Sequence, residues 1–328
     1  MSGLPILQST SLTSQNIEVS DDGPVAPPWP HQPTVEWQVV GQCNYDCSYC
    51  IQSKKHRMGI PSDDSLRASL RFLAALPVDD GRPWEVKTTG GEPFSFRGFL
   101  DLVVPGLMST RHTLSTLTNL SVPSSTLARF ARLTFGRLQV VSASLHLEHT
   151  TPEHFLDRLE GLRDNVDGRT RIVVNCVLVP DDKGSLDAVK KAQDAVVGRG
   201  FRFFPQLMKV KGGVFAYTKE QMNQVRLVVG DLALAAQTRS ANLAPAYTGR
   251  RCWTGSRYLV LTKEGDAYSC RTAKRFDEGF LGNVKNGIHL SGGPRICSYA
   301  ICPCAVPANR GMIEGVTSSS LVNAGDEE

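Results

Sequence analysis

The chain has 328 residues, of which 41% are hydrophobic and 21% are charged. This composition is typical of a globular protein and excludes a wholly disordered chain. The formal net charge of +4 is too small to indicate a dedicated nucleic-acid binder. No apolar run reaches the roughly 18 to 20 residues of a membrane span. The first thirty residues also lack the basic and apolar stretches of a signal peptide. We therefore expect a cytoplasmic protein that binds neither nucleic acid nor membrane.

Predicted strands and helices alternate after a Ser-, Thr- and Pro-rich segment, residues 1–33, which predicts a flexible arm. Thr218 and Gln221 form a capping-box pattern, which predicts a helix that begins at Thr218. The apolar periodicity predicts strands over 35–40, 84–89, 113–118, 138–144, 171–179 and 202–206 and helices over 65–76, 97–108, 124–133, 153–163 and 185–197. Such βα repeats predict an α/β fold with a parallel sheet over about 34–240, short of the eight units of a closed barrel.

The sequence after about residue 245 has a different character. Tyr258–Thr262, a turn with Gly265, and Ala267–Cys270 predict a β-hairpin. Cysteine is dense here, because five of the nine cysteines lie between 252 and 304. We expect a small Cys-rich module over 245–307 that depends on something other than a large core. Residues 308–328 predict a flexible tail.

Three cysteines directly follow the first predicted strand. Cys43, Cys47 and Cys50 stand in the run C-N-Y-D-C-S-Y-C. Cysteines in a reducing compartment are more often metal ligands than disulfides, and thiolates spaced in this way can converge on one iron–sulfur cluster. Three ligands would leave one of four irons open to a small molecule. A zinc site that also uses His56 is the alternative.

A second pattern, Gly90-Gly91-Glu92-Pro93, follows the second predicted strand. Adjacent glycines let the backbone approach a ligand, and the carboxylate can bind an ammonium group. The alternative is an ordinary turn with a surface Glu. In this order and spacing, the two patterns resemble those of the radical S-adenosylmethionine (SAM) superfamily, over about residues 34–215.

The resemblance implies a partial six-unit TIM-like barrel and an enzyme that cleaves SAM. In the superfamily, three cysteines hold a 4Fe–4S cluster and SAM chelates its fourth iron. Reduction of the cluster then yields methionine and a 5′-deoxyadenosyl radical, which abstracts hydrogen. By the same resemblance, Tyr49 would contact the adenine and Gly90–Pro93 the methionine ammonium. Polar residues near the strand ends would lie near SAM or could be ordinary strand-end residues: Asn119, Ser142, Ser144 and Asn175.

The C-terminal cysteines resemble those of the twitch and SPASM extensions of radical SAM enzymes. That resemblance implies an auxiliary iron–sulfur cluster, of 4Fe–4S type, held by Cys252 and Cys270 with two of Cys297, Cys302 and Cys304. The spacing of the last two departs from the commoner CxxC, so the third and fourth ligands stay open. A structural zinc site is the alternative. Cys176 is predicted to be a buried core cysteine.

The substrate is the least defined part of the sequence interpretation. Only about 33 residues precede the first strand, so we expect no peptide-recognition domain on this chain and favour a small, sugar- or nucleoside-like substrate. A peptide substrate, sulfur insertion and a non-enzymatic electron carrier are the alternatives. His146 and Lys209 are the candidate acid–base residues, beside Glu148, His149 and Lys211. The basic run 54–57 would bind an anionic substrate or a reductant, of flavodoxin or ferredoxin type.

Overall fold

The computed structural model describes residues 32–52, 57, 59–78, 82–180, 185–210 and 213–316. Most of the predicted arm, most of the basic run 54–57, Lys211 and the end of the predicted tail lie outside these residues. No helix in these ranges is long and apolar enough to cross a membrane.

The predicted parallel sheet is present and forms a partial TIM-like barrel. Its six parallel strands follow one another in the sheet in chain order. They are β1 Thr34–Val40, β2 Glu85–Gly90, β3 Thr113–Thr118, β4 Leu138–Leu145, β5 Arg171–Leu178 and β6 Arg202–Leu207. Each bound lies within two residues of the predicted one, because β-branched and apolar residues mark these strands clearly.

Helices alternate with these strands and continue after the sixth strand. They are α1 Asp63–Ala74, α2 Val104–Met108, α3 Ser124–Thr134, α4 Pro152–Arg163, α5 Ser185–Gly198, α6 Lys219–Val229, α7 Leu232–Thr238, α8 Arg271–Arg275 and α9 Val306–Asn309. Leu66 and Leu73 of α1 are buried in the core against the strands. The predicted capping box at Thr218 is confirmed, since its side chain and that of Gln221 form both reciprocal hydrogen bonds.

One predicted helix, over 97–108, is shorter and irregular in the structure. A turn of π-helix over Phe99–Val103 precedes α2. Pro105 has no N–H to donate to the carbonyl of Asp101, so the regular α-helical hydrogen-bond pattern cannot pass through this point.

The predicted C-terminal hairpin is confirmed, but it is not a detached unit. The remaining strands are β7 Lys209–Val210, β8 Gly213–Val214, β9 Arg251–Cys252, β10 Tyr258–Leu261, β11 Asp266–Tyr268, β12 Phe280–Asn283, β13 Gly287–Ile288 and β14 Arg295–Ile296. Strand β10 pairs in parallel with β1, and β11–β13 continue outward from it. The sheet therefore has ten strands in the order β13-β12-β11-β10-β1-β2-β3-β4-β5-β6.

Residues 308–316, which the sequence assigned to a flexible tail, pack on the fold. Met312 and Ile313 are buried, with 1% and 2% of their surface exposed. Arg310 forms an ion pair with Glu85 of β2, whose side chain is fully buried. Buried apolar residues and a buried ion pair hold this segment in place. The sequence did not indicate them, because the segment is rich in small residues.

Candidate functional site

The three cysteines of the first pattern lie on one loop, residues 41–52, which we call the cysteine loop. The loop leaves the carboxyl end of β1. Cys47 is buried and Cys43 and Cys50 are half-buried. Burial raises the pKa of Cys47 to about 11, and the nearby Cys43 and Cys50 thiols add to the increase. The three thiols that the sequence assigned to a metal cluster therefore share one loop, with Cys43 and Cys50 near enough to Cys47 to affect its ionisation.

The GGEP turn, residues 90–93, packs directly on the cysteine loop. The Gly91 N–H donates to Val40 O at 2.8 Å, and the Glu92 N–H donates to Gln42 O at 2.9 Å. A Cβ on Gly91 would lie 1.9 Å from Gln42 O, and Gly90 has a φ of +137°. The two glycines are therefore required for contact between the two loops as well as for any approach to a ligand.

Glu92 is buried beneath these loops, with 2% of its surface exposed. Its carboxylate accepts hydrogen bonds from Thr118 Oγ1 at 2.8 Å, Asn119 N at 2.7 Å and Phe94 N at 3.2 Å. Burial raises the pKa of Glu92 to about 7, against the three hydrogen bonds, which favour the ionised form. The sequence predicted a contact with an ammonium group, and the structure adds a role as a bridge between β2 and β3.

His146, a predicted acid–base residue, lies against the cysteine loop. Its Nδ1 is 2.6 Å from Tyr49 Oη and 3.4 Å from Cys47 Sγ. Burial lowers the pKa of His146 to about 4, and the neighbouring His149 adds to the decrease. A neutral imidazole nitrogen can accept a hydrogen bond from the Tyr49 hydroxyl group. His146 therefore orients Tyr49, the aromatic residue that precedes Cys50.

A second cluster of potential ligands lies beside the cysteine loop. Cys47 Sγ, a carboxylate oxygen of Glu148 and a ring nitrogen of His149 lie within 4.8 Å of one another. Glu148 also accepts a hydrogen bond from Ser48 N at 2.8 Å. This set can hold a single metal ion, but it leaves Cys43 and Cys50 without a role. His56, the fourth zinc ligand considered above, lies outside the described residues.

The inside of the barrel contains a cavity of about 680 Å³. Two of the predicted strand-end residues, Ser142 and Asn175, line it. Asn119 instead donates from Nδ2 to Asn44 of the cysteine loop at 3.0 Å. Ser144 lies on β4 beyond Ser142 and is half-buried.

The cavity is also lined by residues that the sequence analysis did not predict. Glu36 and Gln38 of β1 and Lys87 of β2 line it. The signal was present, because polar residues at alternate positions of a strand indicate a second, polar face. Gln38 Oε1 and Gln52 Oε1 are buried, and neither has a hydrogen-bond partner among the residues the structure describes. These acceptors suit a polar ligand that carries N–H or O–H donors.

The five C-terminal cysteines surround a second cavity, of about 280 Å³. They come from separate segments: Cys252 ends β9, Cys270 precedes α8, Cys297 follows β14, and Cys302 and Cys304 precede α9. Cys304 alone among them also lines the barrel cavity. Its Sγ lies 3.6 Å from Glu36 Oε2 and 3.9 Å from Tyr258 Oη.

A buried ion pair joins the C-terminal region to the barrel beside these cysteines. Arg271 of α8 contacts the carboxylate of Glu36, which also accepts from Tyr258 Oη at 2.5 Å. Burial opposes ionisation of Glu36, but the charges of Arg271 and Lys87 and the hydrogen bonds from Arg271 and Tyr258 together hold the pKa of Glu36 below its usual range. Lys209, the other predicted acid–base residue, lies near these groups on β7. Burial lowers the pKa of Lys209 to about 8, although the nearby Cys304 opposes the change.

Solved structures with a similar fold are known. The anSMEcpe structure with bound AdoMet and Kp18Cys peptide has a TM-score of 0.53 at 15% identity, over 78% of this chain and 79% of that chain. The complex with Cp18Cys peptide gives 0.53 at 16% identity, over 79% of each chain. HemN from Escherichia coli, a radical SAM enzyme, gives 0.44 at 11% identity, over 77% of this chain and 71% of that chain. No protein-family model and no curated protein matches the sequence.

The chain shares the fold of the two anSMEcpe structures. Sequence identities of 15% and 16% establish this fold and leave the chemistry to be argued from the site. The predicted partial TIM-like barrel is thus confirmed by both the strand order and the structural comparison. The residues of the cysteine loop and the GGEP turn occupy the carboxyl end of this barrel, where barrel enzymes hold their active sites.

Proposed function

We propose that this protein is a radical SAM enzyme in which Cys43, Cys47 and Cys50 hold a 4Fe–4S cluster. The observation that carries the proposal is the cysteine loop itself. It carries three thiols, contributes Ile51 and Gln52 to the wall of the barrel cavity, and accepts a hydrogen bond from the GGEP turn at Gln42 O. Three thiols fit a cluster with one open iron better than a zinc site, which needs a fourth protein ligand when it is structural. When bound, the cluster and SAM supply a 5′-deoxyadenosyl radical that abstracts hydrogen from the substrate.

The protein's own residues position this chemistry. Glu92 and Asn119 hold the GGEP turn and the cysteine loop together through hydrogen bonds. Tyr49, hydrogen-bonded to His146, is the proposed contact for the adenine ring. Ser142 and Asn175 place polar groups in the cavity below the loop, and the cavity walls exclude bulk water from reactive species.

We infer that the second cavity holds an auxiliary iron–sulfur cluster. Cys252, Cys270, Cys297 and Cys302 supply four thiols, the number that one 4Fe–4S cluster requires. Cys304 is the fifth, and its position on the barrel cavity favours a place at the substrate. When bound, such a cluster supplies electron transfer or substrate binding. Cys270 also accepts a hydrogen bond from Ala273 N at 3.3 Å, which fixes its Sγ at the start of α8.

The proposed substrate is a small molecule, such as a sugar or nucleoside. A cavity of about 680 Å³ is within the usual range of roughly 300 to 1,000 Å³ for small-molecule sites. A peptide substrate is the second candidate, favoured by the similarity to anSMEcpe, whose structure contains a bound peptide. A flavodoxin- or ferredoxin-type protein would supply the electron.

The test is reductive cleavage of SAM. Anaerobically reconstituted protein should release 5′-deoxyadenosine and methionine when reduced with dithionite in the presence of SAM. The Cys43→Ala, Cys47→Ala, Cys50→Ala variant should release neither. A wild-type preparation with a full complement of iron that leaves SAM intact would favour an electron carrier instead.

A further inference from the structure

The barrel cavity carries an excess of positive charge at its wall. Two acidic side chains, Glu36 and Asp277, face six basic ones, which are Lys87, Arg171, Arg271, Lys274, Arg275 and Arg310. The basic residues come from strands β2 and β5, from α8 and from the segment after α9. Basic residues that are far apart in sequence therefore lie around one cavity.

Two of these cations are neutralised by carboxylates of the barrel. Arg271 pairs with Glu36, and Arg310 pairs with Glu85 at 2.5 Å. Lys87, Lys274 and Arg275 have no carboxylate oxygen within 4 Å in the part of the chain that the structure describes. A positive charge therefore remains in the cavity after the protein's own ion pairs have formed.

Arg275 is the clearest case of this positive charge that the protein's own carboxylates leave unneutralised. Its Nη1 is buried and has no hydrogen-bond partner among the described residues, and the same holds for Arg271 Nε. Burial lowers the pKa of Arg275, and the charge of Arg271 lowers it further. Unpaired buried guanidinium donors cost free energy in the absence of an anion.

From this cavity we propose that the substrate is an anionic small molecule, whose phosphate or carboxylate group binds Lys274 and Arg275 of α8 in the barrel cavity. This inference rests on the proposed function and narrows its substrate class. A planar guanidinium beside an ammonium group is suited to bind phosphate or carboxylate oxygens. The anion would enter between the barrel strands and α8, near Cys304.

The experiment uses reconstituted protein with saturating SAM at low ionic strength. Binding of inorganic phosphate and of acetate is measured by isothermal titration calorimetry for wild type and three variants. Arg275→Gln and Lys274→Gln each remove one cavity charge, and Arg132→Gln removes an exposed charge on α3 as the control. SAM cleavage is assayed in each preparation, and circular dichroism confirms that each variant is folded.

Wild type should bind one anion, and Arg275→Gln or Lys274→Gln should weaken that binding about tenfold or more, the loss expected for one charge-assisted contact. Arg132→Gln should bind like wild type. Tighter binding of phosphate would indicate a phosphorylated substrate, and tighter binding of acetate a carboxylate.

The proposal is overturned if neither anion binds, if both cavity variants bind like wild type, or if anions bind only without SAM. The last result would assign the cations to the SAM carboxylate. SAM cleavage by the same preparation would show that the proposed function survives such a failure. Anion binding without SAM cleavage would instead contradict the proposed function.

Discussion

Glu92 connects two segments of the site through one carboxylate. It accepts hydrogen bonds from the strand β3 end and from its own turn. Glu92→Gln replaces one oxygen by an NH₂ group that cannot accept them, so we expect the free energy of unfolding to fall by about 1–3 kcal/mol. SAM should also bind more weakly, because the GGEP turn loses its anchor.

Urea unfolding and equilibrium SAM binding measure the two effects of Glu92→Gln. Glu153→Gln, an exposed change in the first turn of α4, is the control and should leave both unchanged. An equal free energy of unfolding for Glu92→Gln and wild type would show that the bridge between β2 and β3 does not stabilise the fold.

Gly91 is a position where the space for a side chain is already filled. A Cβ there would lie 1.9 Å from Gln42 O of the cysteine loop, which is a backbone atom and cannot turn aside. Gly91→Ala should therefore separate the two loops, at a cost of about 3 kcal/mol, and reduce the iron bound at the first site. Iron analysis after reconstitution measures the loss.

Gly161 provides a matched control for that change. It lies inside α4, and a Cβ there would meet nothing within 4 Å. Gly161→Ala should stabilise the helix by up to about 1 kcal/mol and leave the iron content unchanged. If Gly91→Ala also retains its iron, contact between the loops is not needed for cluster assembly.

At the residue scale, the sequence divided the predicted ligands into two groups of cysteines, because thiols repeated at short spacing are typical of metal and cluster ligands. The sequence did not indicate which charged residues line the cavity or form ion pairs there. Glu36 and Lys87 face inward only because the sheet curves around a cavity, and Arg271 pairs with Glu36 across 235 positions of sequence. Contacts of that separation leave no local pattern.

Among the elements, the ion pair of Glu85 with Arg310 fastens the segment after α9 to strand β2. Only 13% of the Arg310 side chain is exposed and none of Glu85. Arg310→Met leaves a buried carboxylate unpaired, so we expect the protein to lose about 3–5 kcal/mol of stability. The double change Glu85→Gln, Arg310→Met should lose less, because no charge stays buried.

Thermal unfolding compares these variants with Arg97→Met, which removes an exposed arginine paired with Asp101. That control should keep the wild-type transition midpoint, because surface ion pairs contribute little. A midpoint for Arg310→Met equal to that of the control would contradict the anchoring role of the pair.

The auxiliary cavity allows a test of its own ligands. Cys252→Ala, Cys270→Ala removes two thiols from opposite sides of that cavity. We expect such a protein to keep the cluster on Cys43, Cys47 and Cys50, to lose about half of its iron, and to cleave SAM without forming product. Iron counting and Mössbauer spectra check this. Undiminished iron in the double variant would refute Cys252 and Cys270 as ligands.

Element boundaries were predictable where periodicity was strong, as for β3, whose bounds match the prediction. They were not predictable where one residue changed the backbone hydrogen-bond pattern, as Pro105 does in the first turn of α2. The segment 308–316 was wrongly predicted to belong to a flexible tail, because short stretches of small residues show little periodicity even when Met312 and Ile313 are buried.

In the molecule as a whole, the hairpin β10–β11 extends the barrel sheet through parallel pairing of β10 with β1. The loop with Cys43, Cys47 and Cys50 and the segment with Cys270 therefore extend from one continuous sheet, whereas Cys252 and Cys297 lie at the separate β14-β9 pair. The sequence suggested two modules, because the two regions differ in cysteine density and in the pattern of predicted strands and helices. Parallel pairing across more than 200 residues cannot be deduced from either strand alone.

The most direct test of the central claim is electron paramagnetic resonance of the reduced, reconstituted protein with and without SAM. SAM should shift the g-values of one cluster signal in wild type, because it binds the open iron held by Cys43, Cys47 and Cys50. The Cys43→Ala, Cys47→Ala, Cys50→Ala variant should lack that shift and keep the second signal. A SAM-dependent shift that persists in this triple variant, or that is missing from wild type with full iron content, would contradict the assignment of the site.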